Sequence, residues 1–414
     1  MFSALKVFNY RLWVSGALVS NIGTWMQRVA QDWLVLTVLT NQSGTAVGIT
    51  TGLQFLPILI LGPWAGLLGD RYSKRKILLI TQSAMGFCAL LLGLLVVTNT
   101  VQLWHVYLLA LLLGIGSAID APSRQAFVSE VVEAGDVPNA VALNATSFNL
   151  ARLAGPGLAG LLIAWIGTGP AFLINAASFA AVILSLAKMR VAELHPAARA
   201  PRGKGQIREG LRYIRQRPDL MMIMILVSLV ATLTMNFQIT NALMATSVFK
   251  LGPGEYGLLG TVMAVGTLSA ALLAARRQGV RMAYVVGGAL ATGAFTVLGA
   301  FAPNYWLFAL ALIPIGLSAM TFLNACNTSI QLTTDPAMRG RVLAVYMALM
   351  QGGTPIGAPL VGWIGTLFGP RWSLIVGGVA ALAAGSVALL VLNKRNHTTL
   401  RSQLSSVLPH RARA

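Results

Sequence analysis

The chain has 414 residues, of which 56% are apolar and only 10% charged, whereas an ordinary soluble domain carries roughly 25% charged residues. That balance excludes a soluble globular protein. The net charge of +19 raises nucleic acid as a partner, and the placement of the charges along the chain removes it again.

Long apolar runs lie near 12–37, 46–68, 77–98, 102–120, 139–166, 170–188, 221–247, 256–275, 282–301, 305–329, 342–366 and 372–392. Most approach the roughly 20 residues that a helix needs to cross the hydrocarbon core. They predict an all-α polytopic membrane protein with twelve transmembrane helices, because an open strand edge finds no hydrogen-bond partner in lipid. The first run exceeds the apolar length of about 7–15 residues of a cleaved signal peptide, so span one is expected to remain in the mature protein.

Span one contains "NIGTWMQRVAQDWLVLT", with a cation and an anion inside an apolar run. At 100° per residue, Ser20, Asn21, Thr24, Gln27, Arg28, Gln31 and Asp32 fall within an arc of about 140°, opposite Ile22, Met26, Val29, Ala30, Trp33 and Leu34. Ionised groups near the bilayer centre cost at least roughly 2.5 kcal/mol each, so this stripe is expected to face a cavity. Arg28 and Asp32 are also i and i+4, close enough to satisfy one another. Two readings stay open for them: a site that binds a proton or a charged group of a substrate, and a permanent ion pair that stiffens span one or closes an outer gate.

Between spans two and three runs "GLLGDRYSKRK", from Gly66 to Lys76. Asp70 is an acid in a basic cluster with Arg71 and Arg75; it is read either as a conformational latch that caps a helix end or pairs with the other half, or as part of a purely topological signal. Span four contains "ALLLGIGSA" and is followed by "DAPSRQAFVSEVV". Span five places Arg152 near mid-depth, where Asp32 is its expected partner, and then Gly155, Pro156, Gly157 and Gly160 in "ARLAGPGLAG". Small residues let helices approach closely and proline bends them, for packing or for gating.

Residues 189–218 are polar and too hydrophilic to span. Within them "QIREGLRYIRQRP" sets Ile207, Leu211 and Ile214 at helical spacing, either a short interfacial helix or a solvated linker. In the second half, span seven scatters Thr232, Asn236, Gln238 and Asn241, while Thr321, Asn324, Asn327, Thr328 and Gln331 of span ten share a face of about 120°. "AWIGTGPAF" around Pro170 and "GWIGTLFGPRW" around Pro370 are similar turns, each after a Gly/Pro-rich helix, which predicts that six spans are used twice.

Lys6, Arg11, Arg71, Lys74, Arg75, Lys76, Arg124, Arg276, Arg277, Arg281, Arg339, Arg341, Lys394 and Arg395, with nine basic residues from Lys188 to Arg217, fall on one side of this topology. The opposite loops carry only Lys250 and Arg371. The positive-inside rule then sets both termini and the central loop in the cytoplasm, with the chain multi-pass in the cell inner membrane. Cys88 and Cys326 each lie inside a predicted span, so neither a disulfide framework nor a metal cluster is indicated, and no cofactor is expected. No G-x-x-x-x-G-K-[ST] loop supports ATP use, and no nucleophile with a His partner suggests an enzyme.

The 66–76 loop resembles the G-x-L-A-D-R-x-G-R-K motif of the major facilitator superfamily. It keeps Gly66, Leu68, Asp70, Arg71, Lys74 and Arg75, with Gly69 for Ala and Ser73 for the second Gly. "DAPSRQAFVSEVV" and "NAVALNATSFNLARLAGPGLAGLL" resemble its branch of macrolide and siderophore exporters. The resemblance covers essentially the whole chain. It implies two pseudo-symmetric six-helix bundles around a central cavity that opens alternately to either side, working as a monomer. The bundles would be 1–188 and 219–393, joined by the 189–218 linker and followed by a basic tail, 394–414.

The function so implied is secondary active export of a small organic molecule, a drug-like amphiphile or a secreted metabolite, with the proton as coupling ion; a siderophore-specific exporter or importer is the near alternative, a non-transporting receptor the distant one. The proton antiporters of the superfamily often carry an Arg before G-x-G in span four, where this chain has Ala110, so Arg152 is the expected substitute. The expected cavity residues are Asn21, Gln27, Arg28, Gln31, Asp32, Arg152, Asn324 and Thr328; the expected gate is Gly66, Asp70, Arg71, Arg75, Gly155 and Pro156.

Overall fold

The computed structural model describes residues 3–195, 206–275 and 282–407, without the side chains at 63, 66–70, 206–207, 275 and 394–407. The regular elements are helices. They are α1 Phe8–Leu34, α2 Gly44–Arg71, α3 Lys74–Val97, α4 Leu103–Phe127, α5 Val137–Ile166, α6 Thr168–Ala187 and α7 Gln206–Gln216. After these come α8 Pro218–Leu229, α9 Phe237–Leu243, α10 Pro253–Ala275, α11 Met282–Ala300, α12 Tyr305–Thr333, α13 Pro336–Leu367 and α14 Pro370–Val407.

Among the described residues, 10 helical segments are long and apolar enough to cross a membrane, so the chain is a multi-pass membrane protein. Helices α1 and α13, of 27 and 32 residues, have the length but are too polar to count. The first carries the Arg28–Asp32 stripe, the second Arg339, Arg341 and the "QGGTPIGAP" stretch. A helix with polar groups along one side reaches membrane depth only where that side is shielded from lipid.

Span seven is broken rather than continuous. Helix α8 gives way to a π-helical turn, Val230–Thr234, the chain bends at Met235 and Asn236, and α9 ends in a second π-helical turn, Met244–Val248. This break is why its polar residues, spread widely on an ideal helix, come to lie elsewhere than a uniform 100° step predicts.

Within residues 3–195, α1 packs on α5 and α6, α3 on α4 and α6, and α2 on α4. Farther along, α12 packs on α10 and α11, and α14 on α11 and α13. Two seams join these sets, α2 against α13 and α5 against α10. Small residues set the closeness of both: a Cβ on Gly52 would stand 3.1 Å from the Pro355 carbonyl oxygen, and one on Gly160 2.5 Å from that of Pro253. The similar turns noted around Pro170 and Pro370 share a backbone device, since Gly167 and Gly369 have φ of 83° and 99°, a region that side chains with a Cβ rarely adopt.

Three buried apolar clusters mark the ends of the molecule. Ala4, Tyr10, Trp13, Phe127, Val131 and Leu186 form one at the end holding Ser3–Lys6 and the α2–α3 loop, called here the basic end. Ile214, Leu220, Phe322 and Val342 form another. The opposite, far end is filled by Leu34, Val35, Leu36, Leu243, Tyr305 and Leu374, drawn from both sets of helices.

Helix α7 docks on the second set: Ile214 is 2% exposed in its core, Glu209 pairs with Arg341 at 2.6 Å, and the Tyr213 hydroxyl donates to Asp335 at 2.9 Å. It is thus neither a loose linker nor a helix resting on lipid by all three apolar residues; the side chain of Ile207 lies outside the described residues.

Candidate functional site

Helix α1 runs from the basic end towards the far end, and its polar stripe meets a cavity of about 570 Å³ along the way. Asn21, Thr24, Gln27 and Arg28 line it from α1, facing Gln54, Met85, Asn175 and Phe179. The C-terminal half of α4, from Leu113 to Gln125, and the first turns of α5, from Val141 to Asn149, complete the wall. These segments meet where α4 ends and α5 begins, so the cavity extends from the middle of α1 towards the basic end. Beyond it, towards the far end, lies the apolar cluster that draws on both sets of helices.

The stripe is tied down residue by residue. Gln27 accepts a hydrogen bond from the Asn175 amide, and Gln31 reaches Gln54 at 3.5 Å. Asp32, 2% exposed, sits one turn beyond Arg28 towards the far end. Its Oδ2 accepts from Gln238 Nε2 at 2.8 Å and from the Tyr256 hydroxyl at 2.9 Å. Both donors belong to the second set of helices, and Tyr256 stacks on Trp33 with centroids 6.3 Å apart. Two charge-assisted bonds let a carboxylate stay buried without a cation.

Two expected pairings are therefore corrected. Arg28 and Asp32 form no ion pair, because the carboxylate is turned to Gln238 and Tyr256; the Arg28 guanidinium lies 4.9 Å and 5.4 Å from the ring centres of Trp25 and Phe55. Nor does Arg152 share Asp32. It donates to Asn149 Oδ1 at 3.1 Å and to Thr267 Oγ1 at 3.0 Å, within a second cavity of about 290 Å³ between α1, α5, α9 and α10. Four expected cavity residues line neither cavity: Gln31 and Asp32 are buried on α1, and Asn324 and Thr328 are half-buried on α12.

Of the expected gate residues, Gly155 packs under the Trp25 side chain and Pro156 against Gly260 of α10. Arg75 donates through Nε to the Leu186 carbonyl at 2.7 Å, at the end of α6. Arg71 is exposed at the end of α2; Gly66 and Asp70 belong to the same helix, and the Asp70 side chain lies outside the described residues.

Asp120 and Tyr256 also belong to the site and were not among the expected residues. Asp120 accepts from Thr81 at 2.8 Å, Gln82 at 2.7 Å and Arg124 Nε at 2.9 Å. Its i,i+4 relation to Arg124 in "DAPSR" was the available signal. For Tyr256 the only signal was that a buried hydroxyl needs a partner.

Relatives of known name align over most of the chain. The staphyloferrin A transporter of Staphylococcus aureus is 24% identical over 389 residues, 92% of this chain and 95% of the relative. The enterobactin exporter EntS of Escherichia coli K12 is 26% identical over 370 residues, 88% of this chain and 86% of the relative. Among solved structures, an inward-facing, unoccupied bacterial homologue of the human lysosomal transporter Spinster superposes with a TM-score of 0.74 at 14% identity, covering 92% of this chain and 96% of that one. The nucleoside transporter NupG gives 0.69 at 12%, covering 93% and 99%. At such identity the structures speak for the fold alone. The family model of the transmembrane secretion effectors matches residues 2–410, and the chain belongs to that family of major facilitator transporters.

Proposed function

We propose that the chain is a secondary active transporter of the cell inner membrane that exports a small secreted metabolite of the siderophore kind by alternating access. In this reading α1 and α13 complete twelve spans, residues 1–188 and 219–393 form two pseudo-symmetric six-helix bundles, and 189–218 links them. The termini and the basic end face the cytoplasm, as the asymmetry of Lys and Arg favours. The substrate class is favoured by the named roles of the two relatives, a staphyloferrin A transporter and an enterobactin exporter. Family and fold are those of transporters rather than enzymes.

The observation that carries the proposal is the closure above the cavity, where Asp32 of α1 is held by Gln238 and Tyr256. A cavity walled by the first bundle and sealed at one end by contacts with the second is the arrangement that alternating access requires. The same two hydrogen bonds hold the Asp32 carboxyl while the far end is closed. A proton entering from the far side competes with them, which is how antiport is drawn into the cycle; the gate that answers at the basic end includes Asp70, Arg71 and Arg75.

Everted membrane vesicles test the whole reading. With the basic end outward, an imposed proton gradient, acid inside, is expected to drive uptake of a labelled siderophore. Uptake equal to that of vesicles lacking the protein removes the export reading; accumulation in right-side-out vesicles instead reverses the direction.

A further inference from the structure

The Arg28 guanidinium borders the larger cavity, and its Nε is buried with no hydrogen-bond partner. Its described neighbours are the rings of Trp25 and Phe55, which favour a cation without neutralising it. The other ionised residues on the same wall, Asp120 and Arg124, are bonded to each other at 2.9 Å. A cation at membrane depth without a bonded counter-charge is costly; Asp32, one turn along the same helix, acts on Arg28 only through space, its carboxylate being engaged by donors from the other bundle.

We propose that Arg28 receives a carboxylate-type anionic group of the substrate while the far end is closed, and that Asp32 displaces this group when the far end parts. The inference rests on the transport reading above and gives the substrate a charge. A planar carboxylate matches the guanidinium fork through two parallel hydrogen bonds, a geometry that neither ring offers. The displacement follows from the spacing. Once Gln238 and Tyr256 withdraw with the second bundle, Asp32 loses both donors, and Arg28 stands four residues away on the same helix face, reachable by side-chain rotation alone. Affinity for the anion is thereby tied to which end is open, as any ligand that shifts such an equilibrium requires.

Thermal melting of the purified full-length chain in detergent tests this without any flux. The probes are benzoate, phthalate and citrate, each compared with its methyl ester. At least one acid is expected to raise the melting midpoint while its ester does not, and Arg28→Gln is expected to abolish that difference. Arg28→Lys keeps the charge and is expected to keep part of it, which separates lost recognition from misfolding. Asp32→Asn removes the competitor and is expected to tighten binding of the acid; Tyr256→Phe, which loosens Asp32 towards Arg28, is expected to weaken it about threefold or more. Equal shifts with acid and ester, no shift with any acid, or an Arg28→Gln response like the parent's overturns the proposal. Because binding is read apart from transport, such a result leaves the vesicle experiment to stand or fall by itself.

Discussion

Asp32 is a carboxylate whose hydrogen-bond partners come from elements distant in sequence, so its replacement separates charge from structure. Asp32→Asn keeps size and one acceptor oxygen but cannot titrate. It is expected to abolish gradient-driven accumulation in vesicles while the protein still folds and binds its substrate, more tightly than the parent; uphill transport at the parent's rate removes Asp32 from coupling. Asp32→Ala strands the Tyr256 hydroxyl and the Gln238 amide in a buried site, at about 1–3 kcal/mol for each unsatisfied donor. Its melting midpoint is expected to fall well below that of the Asn variant, and equal midpoints would mean that the two bonds contribute little.

The residues of α1 also mark how far sequence reading reaches. Asn21, Gln27 and Arg28 share a face because an α-helix turns 100° per residue, and that face meets the cavity. The partners of Asp32 lie 206 and 224 residues away, and no local spacing encodes a contact of that range. The same limit explains Arg152. Depth along a helix is legible from residue count, but Thr267, its partner 115 residues on, is chosen by the α5–α10 seam.

At the scale of elements, the seams work through small residues. Helix α5 enters from the basic end, so Gly160 meets Pro253 and Gly254 of α10 near the far end. Gly257 of α10 meets the Pro156 carbonyl in the same seam. A side chain at Gly160 has no room while these helices touch, and backbone on the other side cannot yield as a rotamer can. Gly160→Val is expected to bias the protein towards the far-end-open state. The bias is readable by placing a cysteine at Thr24 in a background without Cys88 and Cys326: labelling by an impermeant maleimide from the far side is expected to rise severalfold, an effect of about 1 kcal/mol or more. Unchanged labelling would show that the seam does not part there. The Gly and Pro of "ARLAGPGLAG" were visible in the sequence, but the distinction between packing and gating was not, because both require the same small residues.

For the molecule as a whole, the side-chain hydrogen bonds between residues 3–195 and 206–407 are unevenly distributed. Among the described residues they join Asp32 to Gln238 and Tyr256, Thr45 to Thr366, Arg152 to Thr267, and Thr261 to the Leu153 carbonyl. All lie at mid-depth or towards the far end. Among the described residues, ion pairs towards the basic end such as Lys74 with Glu130 and Arg341 with Glu209 each lie within one set of helices. The apolar runs conveyed the helices. Which contacts join the two sets of helices was not legible, since they link segments distant in sequence.

The far-end cluster has a thermal consequence. Leu34, Val35 and Leu36 from one set of helices and Leu243, Met244 and Leu374 from the other lie in a single buried apolar group. Parting them brings greasy surface towards water, and newly wetted apolar area raises the heat capacity by about 0.45 cal/mol/K per Å². The balance between the two conformations is therefore expected to bend with temperature, tracing an arc in a van't Hoff plot of the Thr24 labelling equilibrium between 5 and 45 °C, in steps of about 5 °C. A straight line would mean that the cluster slides across the seam without being wetted, and that the outer mouth opens dry.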